Sequence, residues 1–479
     1  MDLVNGRFKA TSLQDLDDAI AAWQQSSASK HLVVHFHGGL VGRESGWTIC
    51  EGLTPVYQTA GGYPFFVLWN SGLLTTIKGN LGEIAEEVIF TRLVRKLGQL
   101  VAAKLREATG TRGTTLSLDS MREVPSDLEA LRDYLAPYDS ASLEQVGELS
   151  ELQRDQIENE LKSDKVVETE SQKIANWTLT DEQREALATS RGVGSLETTA
   201  TKISADILDE LRAEAPEPGS RGIGTVIAIA RYGVKIAVAV IKRLLSGRGH
   251  GVYGTIVEEV LRSLYLDYAG RLVWSAMKKD TADSFGTDPS VQGGHALVER
   301  IAPHLSADTR LTLVGHSTGA IYIAHFLDAL DARAEPSVKA DVAFLAPACT
   351  FEFLHARLDL LKRRVAGFRL FSLSEPLESG YWEVPVLYPA SLLYLVSGVC
   401  EDEPDAPIVG MQRYFGQSEG PYAREDIRQV GEWMAEQDRV WSVKDNGLGR
   451  STSARTHGAF DEDSETRESL AHVIEHGFD

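Results

Sequence analysis

Ser317 stands in Leu311-Thr312-Leu313-Val314-Gly315-His316-Ser317-Thr318-Gly319-Ala320, an apolar run, a tight turn and then the helical pattern Ala320–Leu330. A serine on a sharp strand-to-helix turn is presented at the edge of a sheet, and the turn tolerates only small neighbours. Gly315, Gly319 and Ala320 supply them. The helix that follows points its positive end at the serine and favours developing negative charge. The chemistry implied is nucleophilic attack by a hydroxyl. The same five-residue pattern recurs as Gly416-Gln417-Ser418-Glu419-Gly420. That copy follows no clean strand, opens no apolar helix and is followed by Pro421, so it reads as a surface loop.

A second glycine motif, His37-Gly38-Gly39, directly follows the apolar run His31–His37. Acyl transfer builds negative charge on a carbonyl oxygen, and preorganised backbone N–H groups stabilise it. Glycines let the backbone come close enough to do so. The expected donors are an amide among Gly38, Gly39 and Leu40, together with the Thr318 amide. His35 and His37 share one face of that run, a real ligand spacing. No clear third ligand accompanies them, so no metal is expected. No phosphate loop or dinucleotide fingerprint is present, and no cofactor is expected.

His-Gly-Gly after one strand and Gly-His-Ser-Thr-Gly after a later one resemble the α/β-hydrolase superfamily of serine esterases and lipases. The resemblance covers residues 1–72 and 290–479 and leaves out the middle. It implies the chain order serine, acid, histidine. It points to His457 as general base, because that residue follows the last strand pattern, Val440–Val443, in a Gly/Ser-rich loop. His472 is the weaker alternative. The acid is then expected after the preceding strand pattern, Phe368–Leu373. Glu375 comes first, Glu378 second, and Asp402 and Asp405 are further alternatives.

The elements that must hold these residues read as α/β. His31–His37, Pro64–Trp69, Leu311–Val314, Asp341–Leu345, Phe368–Leu373 and Val440–Val443 look like buried strands with helical patterns between most of them. Such alternation predicts a mostly parallel sheet flanked by helices, with chemistry at the carboxyl ends of its strands. Residues 73–289 are expected to be an all-helical insertion forming a cap or lid. Its helical patterns are Leu81–Leu105, Ser126–Leu135, Leu143–Leu161, Asp181–Ala188, Ile203–Leu211, Ile223–Leu245 and Ile256–Met277.

Composition bounds the rest. The chain has 479 residues, 48 Lys and Arg against 69 Asp and Glu, and a net charge of −21, which disfavours nucleic acid. Residues 116–215 alone hold 23 acids and 10 bases. Next to them, residues 221–247 carry bases and no acid. At helical pitch Arg231, Lys235 and Lys242 share one stripe of an otherwise apolar segment. That segment suits a packed cap helix, and alternatively contact with an anionic membrane surface. Three cysteines, Cys50, Cys349 and Cys400, form no framework, and the N-terminal residues lack a signal-peptide pattern. A cytoplasmic chain, alternatively peripheral to membrane, is expected. The leading expectation is a serine hydrolase cleaving carboxylic esters, with an acyl-lipid tilt. The rivals are a thioesterase or peptidase of the same fold, and a non-catalytic protein- or membrane-interaction module on a hydrolase scaffold.

Overall fold

The computed structural model describes residues 1–39, 42–69, 73–108, 125, 127–139, 146–176, 201–213, 221–380 and 387–478. Its centre is an eight-stranded sheet of β1 (Asp2–Val4), β2 (Arg7–Phe8), β3 (His31–Phe36), β4 (Tyr63–Trp69), β5 (Arg310–His316), β6 (Ala340–Leu345), β7 (Val365–Leu373) and β8 (Asp438–Ser442). The spatial order is β2-β1-β4-β3-β5-β6-β7-β8. Every pairing is parallel except β1 with β2.

A parallel sheet is covered on both faces, so its strands need apolar residues on both. β3 shows this. Leu32, Val34 and Phe36 enter one apolar cluster, and Val33 enters the other. The second cluster also holds Val314, Leu345, Phe371 and Val440, with Tyr57 and Ile474 from helices Arg43–Thr59 and Ser464–His476. Helices also cross over between β5 and β6 (Gly319–Asp331) and between β7 and β8 (Glu425–Ala435).

The chain reverses its direction of travel across the sheet between β3 and β5. β4 lies on one side of β3, and β5 to β8 run away on the other. At such a switch point the neighbouring loops part, leaving a crevice at the carboxyl ends of the strands. The segments that leave β3 and β5 are His37-Gly38-Gly39 and the Ser317 turn.

Between β4 and β5 the described residues hold helices and loops and no strand of the sheet. Two expected helices are each broken in two. Leu81–Leu105 falls on Leu73–Glu86 and Val88–Ala108. The break at Glu87 turns its carboxylate toward the Thr201 and Tyr265 hydroxyls and the Lys202 amide. Ile256–Met277 falls on Val252–Leu264 and Arg271–Asp283, parted at Gly270, whose φ is +116°. The expected helix Asp181–Ala188 lies outside the described residues.

The helix Arg221–Leu245 packs against Glu151–Lys162, Lys165–Asn176 and Val252–Leu264. A Cβ on its Gly233 would stand 2.2 Å from Leu161 Cδ1, so glycine permits that close approach. Arg231, Lys235 and Lys242 are exposed along it, while Arg243 is buried against Glu258 and Glu259 at 2.7 and 2.9 Å. By length and hydropathy the helix could cross a membrane, yet 56% of its apolar window is buried inside the protein. Its apolar residues belong to the same cluster as one face of the sheet, so the interior is continuous from sheet to insertion.

Candidate active site

The Ser317 turn is held from both sides. Ser317 has φ +54°, a conformation that costs a side-chain-bearing residue roughly 1–3 kcal/mol and is kept only where surroundings impose it. Its N–H donates to the Leu345 carbonyl on β6 at 2.8 Å, and its carbonyl accepts from Ala348 N–H at 3.1 Å. The flanking glycines are required by contact. A Cβ on Gly319 would lie 2.3 Å from the Phe36 carbonyl oxygen, and one on Gly315 would lie 2.8 Å from the Gly319 backbone.

His457 follows β8 in a loop and occupies the first position of a short 3-10 turn, His457–Ala459. Its Nε2 lies 3.0 Å from Ser317 Oγ. Both residues are deeply buried, at 2% and 5% exposure. Burial holds the His457 pKa well below 6.5, with the charge of His316 acting the same way and Asp461 opposing. A neutral imidazole at this distance can take the serine proton, which is the geometry of a nucleophile and its base.

The His37-Gly38-Gly39 turn sits over the serine. A Cβ on Gly38 would lie 3.4 Å from Ser317 Cβ. One on Gly39 would lie 2.6 Å from Thr318 Oγ1 and 2.9 Å from both Met277 Sδ and Trp69. His37 shapes the turn. Its Nε2 accepts from the Trp69 amide at 3.1 Å, which leaves Nδ1–H to donate to the Gly38 carbonyl at 2.8 Å. Burial lowers its pKa to about 4, so it stays neutral. Leu40, the third expected donor, lies outside the described residues. The helix Arg271–Asp283 reaches the turn through Met277. Lys78, on Leu73–Glu86, is close enough to lower the His457 pKa. The insertion thus abuts the site from two helices.

The expected acids stand elsewhere, and here the sequence expectation is corrected. Among the described residues, His457 Nδ1 has no hydrogen-bond partner. Glu375 accepts from the Tyr394 hydroxyl, and Glu378 from the Ser391 hydroxyl. Asp402 is exposed and meets Arg271 at 2.6 Å. Asp405 is buried among His250, Tyr414 and Tyr422, each at 2.8 Å. Asp402 and Asp405 thus tie the segment between β4 and β5 to the C-terminal part of the chain, while Glu375 and Glu378 bond within that part. The chain order of serine, acid, histidine that the resemblance implies places no acid beyond His457.

The carboxylate that enters the serine cluster is Asp461, four residues past His457. It is fully buried, with Oδ2 2.6 Å from His316 Nδ1 and Oδ1 3.5 Å from His35 Nε2. Burial alone would raise its pKa, but the charge and hydrogen bond of His316 hold it at about 2. Sequence reasoning missed it. The available signal was the acidic run Asp461-Glu462-Asp463 one turn beyond the base.

The remaining residues singled out by sequence are placed apart. Ser418 is exposed in a loop. His472 is on the C-terminal helix, stacked with His476. His35 Nδ1 lies 2.8 Å from the Tyr57 hydroxyl. Comparison with protein-family models, with curated proteins and with solved structures found no match for the chain.

Proposed function

We propose that the protein is a serine hydrolase of carboxylic esters, built on an α/β-hydrolase-type core whose helical insertion caps the site. The observation that carries this is the 3.0 Å approach of His457 Nε2 to Ser317 Oγ. It occurs at the sheet's switch point, with the serine held at positive φ.

In this reading His457 Nε2 takes the Ser317 proton as Oγ bonds to the ester carbonyl carbon. The oxyanion is held by backbone amides of the Gly38-Gly39 turn and Thr318, each worth roughly 3 kcal/mol. Collapse of the tetrahedral species breaks the bond to the alcohol, which leaves with the proton from His457. Water, deprotonated by the same imidazole, then attacks the acyl-enzyme and releases the acid and Ser317. No cofactor takes part. Capping by the insertion is supported by Met277 and Lys78, which approach the site from its helices.

A fluorophosphonate probe tests the reading. Wild type labels and Ser317→Ala does not, and p-nitrophenyl esters are turned over only by wild type. Labelling that survives Ser317→Ala and vanishes in Ser418→Ala overturns it. A wild type inert to both probe and esters leaves the non-catalytic scaffold.

A further inference from the structure

A base that takes a proton at Nε2 carries its own proton at Nδ1. In related constellations a carboxylate accepts that Nδ1–H and fixes the tautomer. His457 Nδ1 is buried and meets no such acceptor among the described residues. The carboxylate of the cluster is committed to His316 instead.

His316 forms a bridge. Its Nδ1 is 2.6 Å from Asp461 Oδ2, and its Nε2 is 2.9 Å from the backbone carbonyl oxygen of His457. A carbonyl only accepts hydrogen bonds, so Nε2 carries a proton. An ionised carboxylate also only accepts, so Nδ1 carries one too. The bridge is therefore a buried imidazolium–carboxylate pair, its ring centroid 5.4 Å from that of His457. The carbonyl it grips opens the His457–Ala459 turn. Gripping that carbonyl fixes the direction in which the His457 side chain leaves the backbone, and so its aim at Ser317. Misplacing a catalytic group by ~1 Å costs on the order of 100-fold in rate.

We infer that His316 is the positioning residue for His457, and that Asp461 serves the base through His316 rather than by contact with His457 Nδ1. This rests on the hydrolase reading above. The charged and titratable groups that face the pair and the base are His35, His37, Lys78, Tyr57 and Cys50, with the Arg467 guanidinium donating to the Asp461 backbone carbonyl at 2.7 Å.

The test compares Asp461→Asn, His316→Gln and His316→Leu, by kcat and KM on a p-nitrophenyl ester, by fluorophosphonate labelling rate and by melting temperature. An asparagine amide can donate to a neutral His316 Nδ1 while Nε2–H stays on the His457 carbonyl. Asp461→Asn is therefore expected to keep kcat within ~10-fold, since the chain of hydrogen bonds that aims the base survives. His316→Leu breaks both bonds and loses ~100-fold or more in kcat with KM little changed. His316→Gln restores a donor for the carbonyl and recovers part of that loss. It also leaves the Asp461 charge without its cation. The His457 pKa rises, and the acid limb of kcat/KM moves to higher pH, which a purely structural role would not produce.

The inference is overturned if Asp461→Asn drops kcat by ~10⁴-fold, as loss of a direct acid does, while His316→Gln keeps wild-type activity. If His316→Leu does not fold, the other two variants still decide. A wild type that neither labels nor turns over ester removes the hydrolase reading, and this inference with it, a result distinct from a wild type that labels with unexpected variants.

Discussion

Two of the buried clusters of charge among the described residues are finished to different degrees. At the seam between core and insertion, His250 has one ring nitrogen on Glu258 and the other on Asp405, at 2.7 and 2.8 Å. Glu258 also takes Arg243 and the Tyr388 hydroxyl, and Asp405 takes the Tyr414 and Tyr422 hydroxyls. Every oxygen of these two carboxylates has a partner. At the serine, His457 Nδ1 and Thr318 Oγ1 are buried without a hydrogen-bond partner among the described residues, and Asp461 Oδ1 and His35 Nε2 face each other at 3.5 Å without forming one. Buried polar atoms normally find partners, and orphans concentrate where chemistry is done. The His250 cluster leaves Arg243 Nε as its buried atom without a partner, whereas four such atoms gather around Ser317, and that concentration accords with the proposed reactivity of the serine cluster.

The largest effect expected from breaking this contrast is on the serine side. Ser317→Ala removes activity by ~10⁶-fold, the scale for a triad member, and leaves the melting temperature almost unchanged. Ester turnover and calorimetry on the same sample check both halves.

Acid separates the clusters next. Burial lowers the pKa of His35 and His37 to about 4. Their neutral forms are favoured in the folded state, so stability is full above pH 6.5, falls as pH drops from 6.5 to 4 because the unfolded chain takes up the protons first, and levels off below 4. The loss is about 3 kcal/mol each by pH 4. Glu258, held at about 2 chiefly against burial by His250 and Arg243, keeps its charge across that window. Urea unfolding at pH 7 and pH 4 measures the difference. Stability that stays level would mean the serine cluster is already protonated or open to water.

Glu258→Ala strikes the seam. It leaves Arg243 and His250 short of a counter-charge in the interior and costs about 3–5 kcal/mol. The probe-labelling rate of the molecules that remain folded stays within a few-fold. A labelling rate that collapses with stability would show that the seam also sets the site.

A smaller change is expected from Gly39→Ala. Its Cβ would press on Thr318 Oγ1, Met277 and Trp69, so the turn must shift. Losing the alignment of one oxyanion donor costs ~10²-fold in kcat, with KM little altered. Smallest of all, Ser418→Ala leaves both turnover and stability unchanged.

What was legible in the sequence follows the physics of local pattern. β3 to β7 are legible because strands covered on both faces must be largely apolar, while the edge strand β8, with Asp438, Arg439 and Ser442, is marked only by Val440 and Trp441. β1 and β2 are not, being three and two residues long and carrying Asp2 and Arg7. The helix breaks at Glu87 and Gly270 are not legible because partners distant in the chain hold the backbone there, Thr201, Lys202 and Tyr265 at Glu87, and Ser204 and Asn80 on Asp267 and Tyr268 just before Gly270. Ser317 and the His-Gly-Gly turn were legible because a strained turn restricts its neighbours to glycine, a restriction visible in one dimension.

The sequence by itself determined which residues could react and which strands would carry them, since both depend on neighbours within a few positions. The tertiary structure alone decided which charges meet. Glu375 and Glu378, on the short helix Glu375–Gly380, and Asp402 and Asp405 follow apolar runs as a triad acid would, yet folding closes them onto tyrosines, a serine, His250 and Arg271. Asp461 instead reaches His316 across 145 residues of chain. A buried carboxylate is stabilised by whatever donors the packed interior brings within about 3 Å, and no local pattern records that distance.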